Sequence, residues 1–141
     1  MPKILIISSQ IHEELSSKQL QSCLDLVKKS NYDYEVQVLN AGTYEIPFVI
    51  NSYAKKKPFD AYIALGLVLK TNADHHDYIM SHIKHSFTHF ALNDIIVGNG
   101  IISAPTINEL AVKIASPDPC LSAYFSAYNA VDALLKIKAA L

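Results

Sequence analysis

Two adjacent histidines, His75 and His76, are the side chains best suited to proton transfer, because imidazole titrates near neutral pH. They follow a polar turn at residues 71–73, and Asp74 offers the carboxylate that a helix N-cap needs. The free N–H groups of a helix start favour an anion, so a phosphate group could bind at this turn. Each histidine could also be an ordinary helix-start residue, satisfied by solvent or by Asp74 and Asp77. The residues alone leave both interpretations open.

A second set of functional groups stands in three consecutive positions. Thr43, Tyr44 and Glu45 supply a hydroxyl, an aromatic ring and a carboxylate, which together suit a hydroxylated ligand with a flat ring. Thr43 is also predicted to cap the following helix, in which Pro47 is tolerable only in the first turn. Glu45 could instead neutralise the dipole of that helix, and the two roles of Glu45 are compatible.

Further histidines recur at helical spacing after His75. His82, His85 and His89 fall along one face with it, and histidines so spaced can bind zinc. No cysteine or carboxylate stands at a spacing that completes such a site, so we expect no metal. A polar face that lines a subunit contact or a channel is the favoured interpretation.

The composition and the absent motifs exclude several classes of function. The chain contains no P-loop, G-x-G-x-x-G, G-x-S-x-G or H-E-x-x-H motif, which argues against P-loop hydrolysis, a dinucleotide fold and a serine hydrolase. The formal net charge is −1, which gives no electrostatic case for a nucleic acid. All 12 cationic side chains are lysines, so no arginine fork is available for phosphate.

The length of 141 residues fits one domain, residues 1–141, with a substantial core. The two cysteines, Cys23 and Cys120, form no C-x-x-C motif, and Cys23 is expected in the core. No apolar run resembles a signal peptide or a membrane span. We therefore expect a cytoplasmic protein without a membrane partner.

Apolar runs alternate with helical patterns along the chain. Strands are predicted at 4–7, 34–39, 61–69 and 95–99, the second of them nearer the sheet edge. Helices are predicted at 14–29, 74–92, 106–114 and 120–138, and another starts within residues 43–47 and runs to 57; a turn is predicted at 101–105. This alternation predicts an α/β, three-layer, flavodoxin-like fold, in which a four-stranded parallel sheet carries helices on both faces. The chemistry is expected in the loops at the carboxyl ends of the strands.

Three motifs, in this order and spacing, resemble the lumazine synthase family. They are G-T-Y-E-I-P at residues 42–47, F-D-A-Y-I-A-L-G at 59–66 and H-H-D-Y at 75–78. The similarity covers nearly the whole chain. It implies a transferase that condenses 5-amino-6-(D-ribitylamino)uracil with 3,4-dihydroxy-2-butanone 4-phosphate. The product is 6,7-dimethyl-8-ribityllumazine, a precursor of riboflavin, and water and phosphate are released. No cofactor is implied, and the implied partners are small-molecule substrates.

The resemblance also assigns roles to individual residues. It makes His75, two positions before Asp77, the proton-transfer residue in Schiff-base formation, phosphate elimination and ring closure. The other implied contacts are to the ribityl chain and pyrimidine (Thr43, Tyr44, Glu45), to the pyrimidine edge (Val68, Leu69) and to the phosphate (Asn72, Ala73).

The chain departs from the family pattern at five places. Ile11 stands where an aromatic residue usually stacks on the pyrimidine, and residues 71–73 replace a G-x-T phosphate loop. Lys113 replaces an arginine that reaches the phosphate in the adjoining subunit's site, and Asn99 replaces an aromatic residue contributed by a neighbouring subunit. A G-N-K-G segment is absent at 116–122. These changes motivate a second hypothesis, a catalytically weak relative that binds flavins or lumazines.

The resemblance implies a homo-oligomer as well. Family members are pentamers with each site between neighbouring subunits, and some assemble further into capsids. The proline-rich break near residues 116–119 favours a free pentamer or a pair of pentamers here. A third hypothesis, an unrelated flavodoxin-like binding domain, would not explain the motifs at residues 42–47 and 75–78 together.

Overall fold

Strands and helices alternate along the chain, as the sequence predicts. The computed structural model describes the backbone of residues 1–141 and every side chain except those of Pro119 and Cys120. The last helix was predicted to begin at Cys120, whose side chain lies outside the described residues. A single 3₁₀ turn, Thr43–Glu45, precedes the second helix. In chain order the elements are β1 (Lys3–Ser9), α1 (Glu13–Lys28), β2 (Asp33–Leu39), α2 (Ile46–Lys56), β3 (Ala61–Leu69), α3 (Ala73–Leu92), β4 (Val97–Ala104), α4 (Ile107–Ala115), α5 (Pro119–Ser122) and α6 (Tyr124–Ala140).

The four strands form one parallel sheet in the order β2-β1-β3-β4. The three-layer, flavodoxin-like prediction is therefore confirmed, and so is the edge position of β2. The chain moves from β1 to β2 on one side and then crosses back to β3 on the other side. The reversal leaves a crevice at the carboxyl ends of β1 and β3, where open α/β sheets place ligands.

The central strand β3 is buried along nearly its whole length because helices cover both sheet faces. Successive side chains of a strand point to opposite faces. Ile63 and Leu65 therefore pack with α1 and α6, whereas Tyr62 and Ala64 pack with α2 and α3. Burial of one such apolar side chain stabilises the fold by about 1.5–3 kcal/mol. This rigid, doubly covered strand ends directly below the crevice.

Strand β4 is longer than predicted. The sequence predicts that this strand ends near Asn99 and that a turn follows at 101–105, because glycines stand at positions 98 and 100. In the structure the strand continues to Ala104, and Ile102 and Ala104 pack against α4. The glycines are needed for close approach: a Cβ at Gly98 would lie 2.5 Å from the Ala127 carbonyl oxygen of α6. Gly98 marks tight helix–sheet packing rather than a chain break, and a Cβ at Gly100 would lie 2.6 Å from Leu65 Cδ2 of β3.

The helix boundaries agree with the prediction at one further point and differ at another. The second helix is predicted to start within residues 43–47, and α2 begins at Ile46, directly after the 3₁₀ turn. Residues 120–138 do not form one helix, because Ala123 has a φ of 57°, a left-handed conformation that separates α5 from α6.

Candidate functional site

A cavity of about 580 Å³ lies at the carboxyl end of β3. Its walls come from the loop after β1, the 3₁₀ turn, the last residues of β3 and the start of α3. The structure brings most of the predicted site residues together here: Ile11, Thr43, Tyr44, Glu45, Val68, Leu69 and His75. This is the crevice that the strand order predicts.

The 3₁₀ turn forms one wall of the cavity, and a buried hydroxyl fixes it to the sheet. Thr43 is only 3% exposed, and its Oγ1 donates a long 3.5 Å hydrogen bond to the Leu67 carbonyl oxygen. The contact requires a glycine at position 66, since a Cβ there would lie 2.6 Å from Thr43 Oγ1. The prediction that Thr43 caps the helix is wrong, because Gly42 is the N-cap residue of the turn and no side chain caps it. The anchored turn presents Tyr44 and Glu45 to the cavity.

The start of α3 forms the opposite wall. Asn72 is the N-cap residue, and its Oδ1 accepts a 3.1 Å hydrogen bond from the His75 backbone N–H. The predicted cap at Asp74 is therefore wrong, since the helix already begins at Ala73. Neither Asn72 nor Ala73 lines the cavity, although Asn72 directly follows Thr71, which does. The side-chain oxygen of Asn72 caps the helix. Of residues 71–73, only Thr71 places its polar groups at the cavity.

The two histidines at this helix start have different surroundings. His75 is exposed and lines the cavity. The His76 side chain is only 12% exposed, and its Nδ1 lies 3.4 Å from Asp77 Oδ1. Its Nε2 is buried and has no hydrogen-bond partner among the described residues. Of the pair, only His75 is placed to meet a ligand in this cavity.

Four lining residues were not predicted: His12, Leu67, Tyr78 and Ile79. Tyr78 was the one that could have been found, because it stands three positions after His75 and residues so spaced share a helix face. The Tyr78 and Tyr44 hydroxyl oxygens lie 3.1 Å apart, and their rings are nearly parallel. This hydrogen bond raises the pKa of Tyr44 above its ordinary value. The Tyr44 hydroxyl therefore stays protonated at neutral pH.

A family model described as 6,7-dimethyl-8-ribityllumazine synthase matches residues 1–138 of this 141-residue chain. The chain belongs to this family. Lumazine synthases are transferases of riboflavin biosynthesis, and this chain is therefore such a transferase. The resemblance carried by the three motifs is confirmed, and the hypothesis of an unrelated flavodoxin-like binding domain is wrong.

Two residues at which the chain departs from the lumazine synthase pattern lie away from its own cavity. Asn99 is exposed on the edge strand β4, where its Oδ1 accepts a 3.0 Å hydrogen bond from the Ile101 N–H. Lys113 on α4 donates from Nζ to the Ser103 carbonyl oxygen at 2.7 Å. Neither side chain lines the cavity of its own subunit.

The histidine stripe of α3 does not form a preorganised metal centre. Among the side chains that the structure describes, no group of three or more His, Cys, Asp or Glu residues is placed to hold a metal ion. His82 stacks on Tyr44, and His85 and His89 line a separate groove beside α2. Within the described residues, no helix is long and apolar enough to cross a membrane.

Proposed function

We propose that the protein is a lumazine synthase that condenses 5-amino-6-(D-ribitylamino)uracil with 3,4-dihydroxy-2-butanone 4-phosphate. The products are 6,7-dimethyl-8-ribityllumazine, water and phosphate. The observation that carries the proposal is the single cavity in which His75 faces Thr43, Tyr44 and Glu45. In a chain of this family, that cavity combines a proton-transfer group with a wall suited to a hydroxylated, flat-ringed substrate.

His75 is the proposed proton-transfer residue. The pyrimidine amine attacks the ketone carbonyl, and loss of water then gives a Schiff base. Loss of phosphate follows, and closure of the second ring onto a carbonyl then releases a second water. Each of these steps moves protons on and off carbon, nitrogen or oxygen. An exposed imidazole at the cavity can accept and return these protons near neutral pH, which is typical of general acid–base catalysis.

The remaining lining residues bind the substrates in this proposal. Val68 and Leu69 supply an apolar edge for the pyrimidine, and Ile11, 57% exposed, covers its face without aromatic stacking. The Glu45 carboxylate accepts hydrogen bonds from ribityl hydroxyls. The N-terminus of α3, with Asn72 and Ala73 in its first turn, attracts the phosphate through its free N–H groups and helix dipole.

We also propose that the active form is a homo-oligomer, a pentamer, with each site completed by a neighbouring subunit. Asn99 and Lys113 then contribute to the site of the adjoining subunit. The support is that both lie outside the cavity of their own subunit, and that Asn99 is exposed on an unpaired sheet edge. A cytoplasmic location stays a prediction from the sequence.

Mixing both substrates and following the absorbance of the lumazine product tests the function. We expect turnover by the wild type and a fall in kcat of about 100-fold in His75→Gln, the range of a lost general acid–base. His76→Gln is the matched control and should retain most activity. If His76→Gln is inactive and His75→Gln is normal, the assignment of the proton-transfer residue is wrong.

The second hypothesis predicts a different result in the same experiment. A catalytically weak relative would bind 6,7-dimethyl-8-ribityllumazine or riboflavin tightly and show no turnover. The observations that favour it are the apolar Ile11 at the cavity and the bond between Lys113 and Ser103. Ligand fluorescence, measured on the same wild-type sample, separates binding from catalysis.

A further inference from the structure

Two residues of α3 hold the ring of Tyr44. The Tyr44 and His82 rings stack with centroids 3.9 Å apart and planes 24° from parallel. The Tyr78 ring lies 5.3 Å away at an angle of 6°, and the hydroxyl–hydroxyl hydrogen bond joins the same pair. Tyr78 and His82 are four positions apart, so a rigid helix presents both on one side to Tyr44.

The Tyr44 ring separates two spaces. On one side is the candidate site, and on the other is a groove of about 610 Å³ between α2 and α3, lined in part by Phe48, His82 and His85. Tyr44 and Glu45 line both spaces. The position of the Tyr44 ring therefore contributes to the boundary of the candidate site, and a ring that leaves α3 changes the shape of that boundary.

The backbone of Tyr44 does not by itself fix the ring. The residue lies in a 3₁₀ turn of three residues, which the Thr43 hydroxyl anchors to β3. That anchor holds the main chain, but the side-chain torsions of Tyr44 stay free to rotate. The contacts with Tyr78 and His82 restrict these torsions. Stacked aromatic pairs are individually weak interactions, so two of them together with a hydrogen bond hold the ring better than one.

We propose that Tyr78 and His82 are positioning residues, which hold the Tyr44 ring against α3 as a fixed wall for the flat ring of the pyrimidine substrate. This inference rests on the proposed function. The role acts through Tyr44, since neither residue is assigned a contact with the reacting atoms. A Tyr44 ring that is already held in place does not have to be ordered when the substrate binds, so binding costs less conformational entropy. Binding of the pyrimidine should therefore depend on the pair more than the chemical steps do.

Steady-state kinetics on His82→Ala, Tyr78→Phe and the double variant test the proposal. Loss of the His82 stack should raise KM for the pyrimidine about three- to tenfold and change kcat by less than about twofold. Tyr78→Phe removes only the hydroxyl contact and should raise KM about twofold. KM for the butanone phosphate should stay unchanged, because Tyr44 is proposed to contact only the pyrimidine and ribityl parts.

Two further variants separate positioning from a general structural role. His82→Phe restores a stacking ring without an imidazole and should return KM to near the wild-type value. His85→Ala, one turn along the same helix, removes a histidine from the groove side and should leave both constants unchanged. Thermal unfolding of each variant shows whether a change in KM merely follows lost stability.

The proposal is overturned if His82→Ala and the double variant keep the wild-type KM, if they lower kcat instead, or if His82→Phe fails to restore KM. A wild type without turnover would overturn the proposed function but not yet this inference. In that case titration with 6,7-dimethyl-8-ribityllumazine decides it, since His82→Ala should weaken binding about three- to tenfold and His82→Phe should restore it. Equal binding by all variants would contradict the positioning role.

Discussion

The two walls of the cavity are built differently. The 3₁₀ turn is fixed from below by a buried hydroxyl that fits against a glycine of the central strand. The start of α3 is held at its N-terminus by one exposed side chain, Asn72, which caps a backbone N–H. Thr43 is 3% exposed, whereas residues 71–75 are all exposed.

This difference matches the work proposed for each wall. Recognition of a flat ring needs a surface that does not move, which the anchored turn supplies together with the contacts of Tyr44 to Tyr78 and His82. Capture and release of phosphate need free N–H groups at a helix end, which the start of α3 supplies only because it is not buried. The proposed proton-transfer residue, His75, lies on the wall with fewer constraints, close to the proposed phosphate site.

The largest expected effect comes from Gly66→Ala, which would disturb the fixed wall formed by the 3₁₀ turn. The new Cβ would lie 2.6 Å from Thr43 Oγ1 and 3.1 Å from its Cγ2, so the turn must move or the strand must shift. We expect unfolding free energy to fall by about 3 kcal/mol, as in overpacked cores, and KM for the pyrimidine to rise. Chemical denaturation and steady-state kinetics measure the two effects.

Gly98→Ala is the matched control for that experiment, because its Cβ would lie 2.5 Å from a carbonyl oxygen on α6, away from the cavity lining. It should cost similar stability and leave KM unchanged at a temperature where the protein is folded. If both variants change KM equally, the anchored turn has no special importance for binding.

A smaller effect is expected from Asn72→Ala, which would loosen the other wall, formed by the start of α3. Loss of an N-cap typically costs about 1 kcal/mol, and here it should fray the first turn of α3. Faster hydrogen exchange of the His75 amide would report the fraying directly. Asn72→Asp, which keeps an acceptor, should restore protection, whereas Asp74→Ala should have little effect because Asp74 is not the cap.

Thr106→Ala provides a second comparison. Thr106 caps α4 through a 3.1 Å bond from the Glu109 N–H, so its loss should cost about as much stability as loss of Asn72. Thr106 does not line the cavity, and activity should be unaffected. Equal loss of activity in Asn72→Ala and Thr106→Ala would contradict a special role for the start of α3.

The strands of the sheet could be predicted because local sequence patterns, such as an apolar run bounded by polar residues, mark them. Strand β3 was placed at Ala61–Leu69 from one apolar run bounded by polar residues, and these are its bounds in the structure. The end of β4 was not predictable in the same way. Its glycines look like turn residues until the nearby α6 backbone is known, and that contact joins residues far apart in the sequence.

The site was predictable in part for the same reason. Local motifs located His75 and the 3₁₀ turn, but the choice between Asn72 and Asp74 as cap depends on a shift of two residues in the helix start. Both side chains can cap, so composition could not decide. The stack of Tyr44 on His82 was invisible because it joins a turn to a helix 38 positions later, and helical spacing had assigned His82 to a metal stripe or a channel face.

The smallest expected effect lies away from both walls, at the contact between Tyr32 and Asp132 of α6. The Tyr32 hydroxyl donates a 2.5 Å hydrogen bond to Asp132 Oδ1. Burial and this bond raise the pKa of Tyr32 to about 12, and the bond lowers the pKa of Asp132. The depressed pKa of Asp132 contributes stability that is present above its unfolded value of 3.8 and lost as pH falls through the folded value. The raised pKa of Tyr32 contributes stability that is present below its unfolded value of 10.0 and lost as pH rises through about 12.

Tyr32→Phe should therefore cost about 0.5–1 kcal/mol between roughly pH 5 and pH 9, and less outside that window. Urea denaturation at several pH values measures the difference from the wild type.

Because neither Tyr32 nor Asp132 lines the cavity, KM and kcat should match the wild type wherever the variant is folded. A change in KM would show that the fixed wall also depends on the contact between α6 and the loop before β2, which would weaken the contrast between a locally anchored turn and a locally capped helix. A stability difference that does not shrink at pH 3 would show instead that the ring packing of Tyr32, rather than its bond to Asp132, supports the fold.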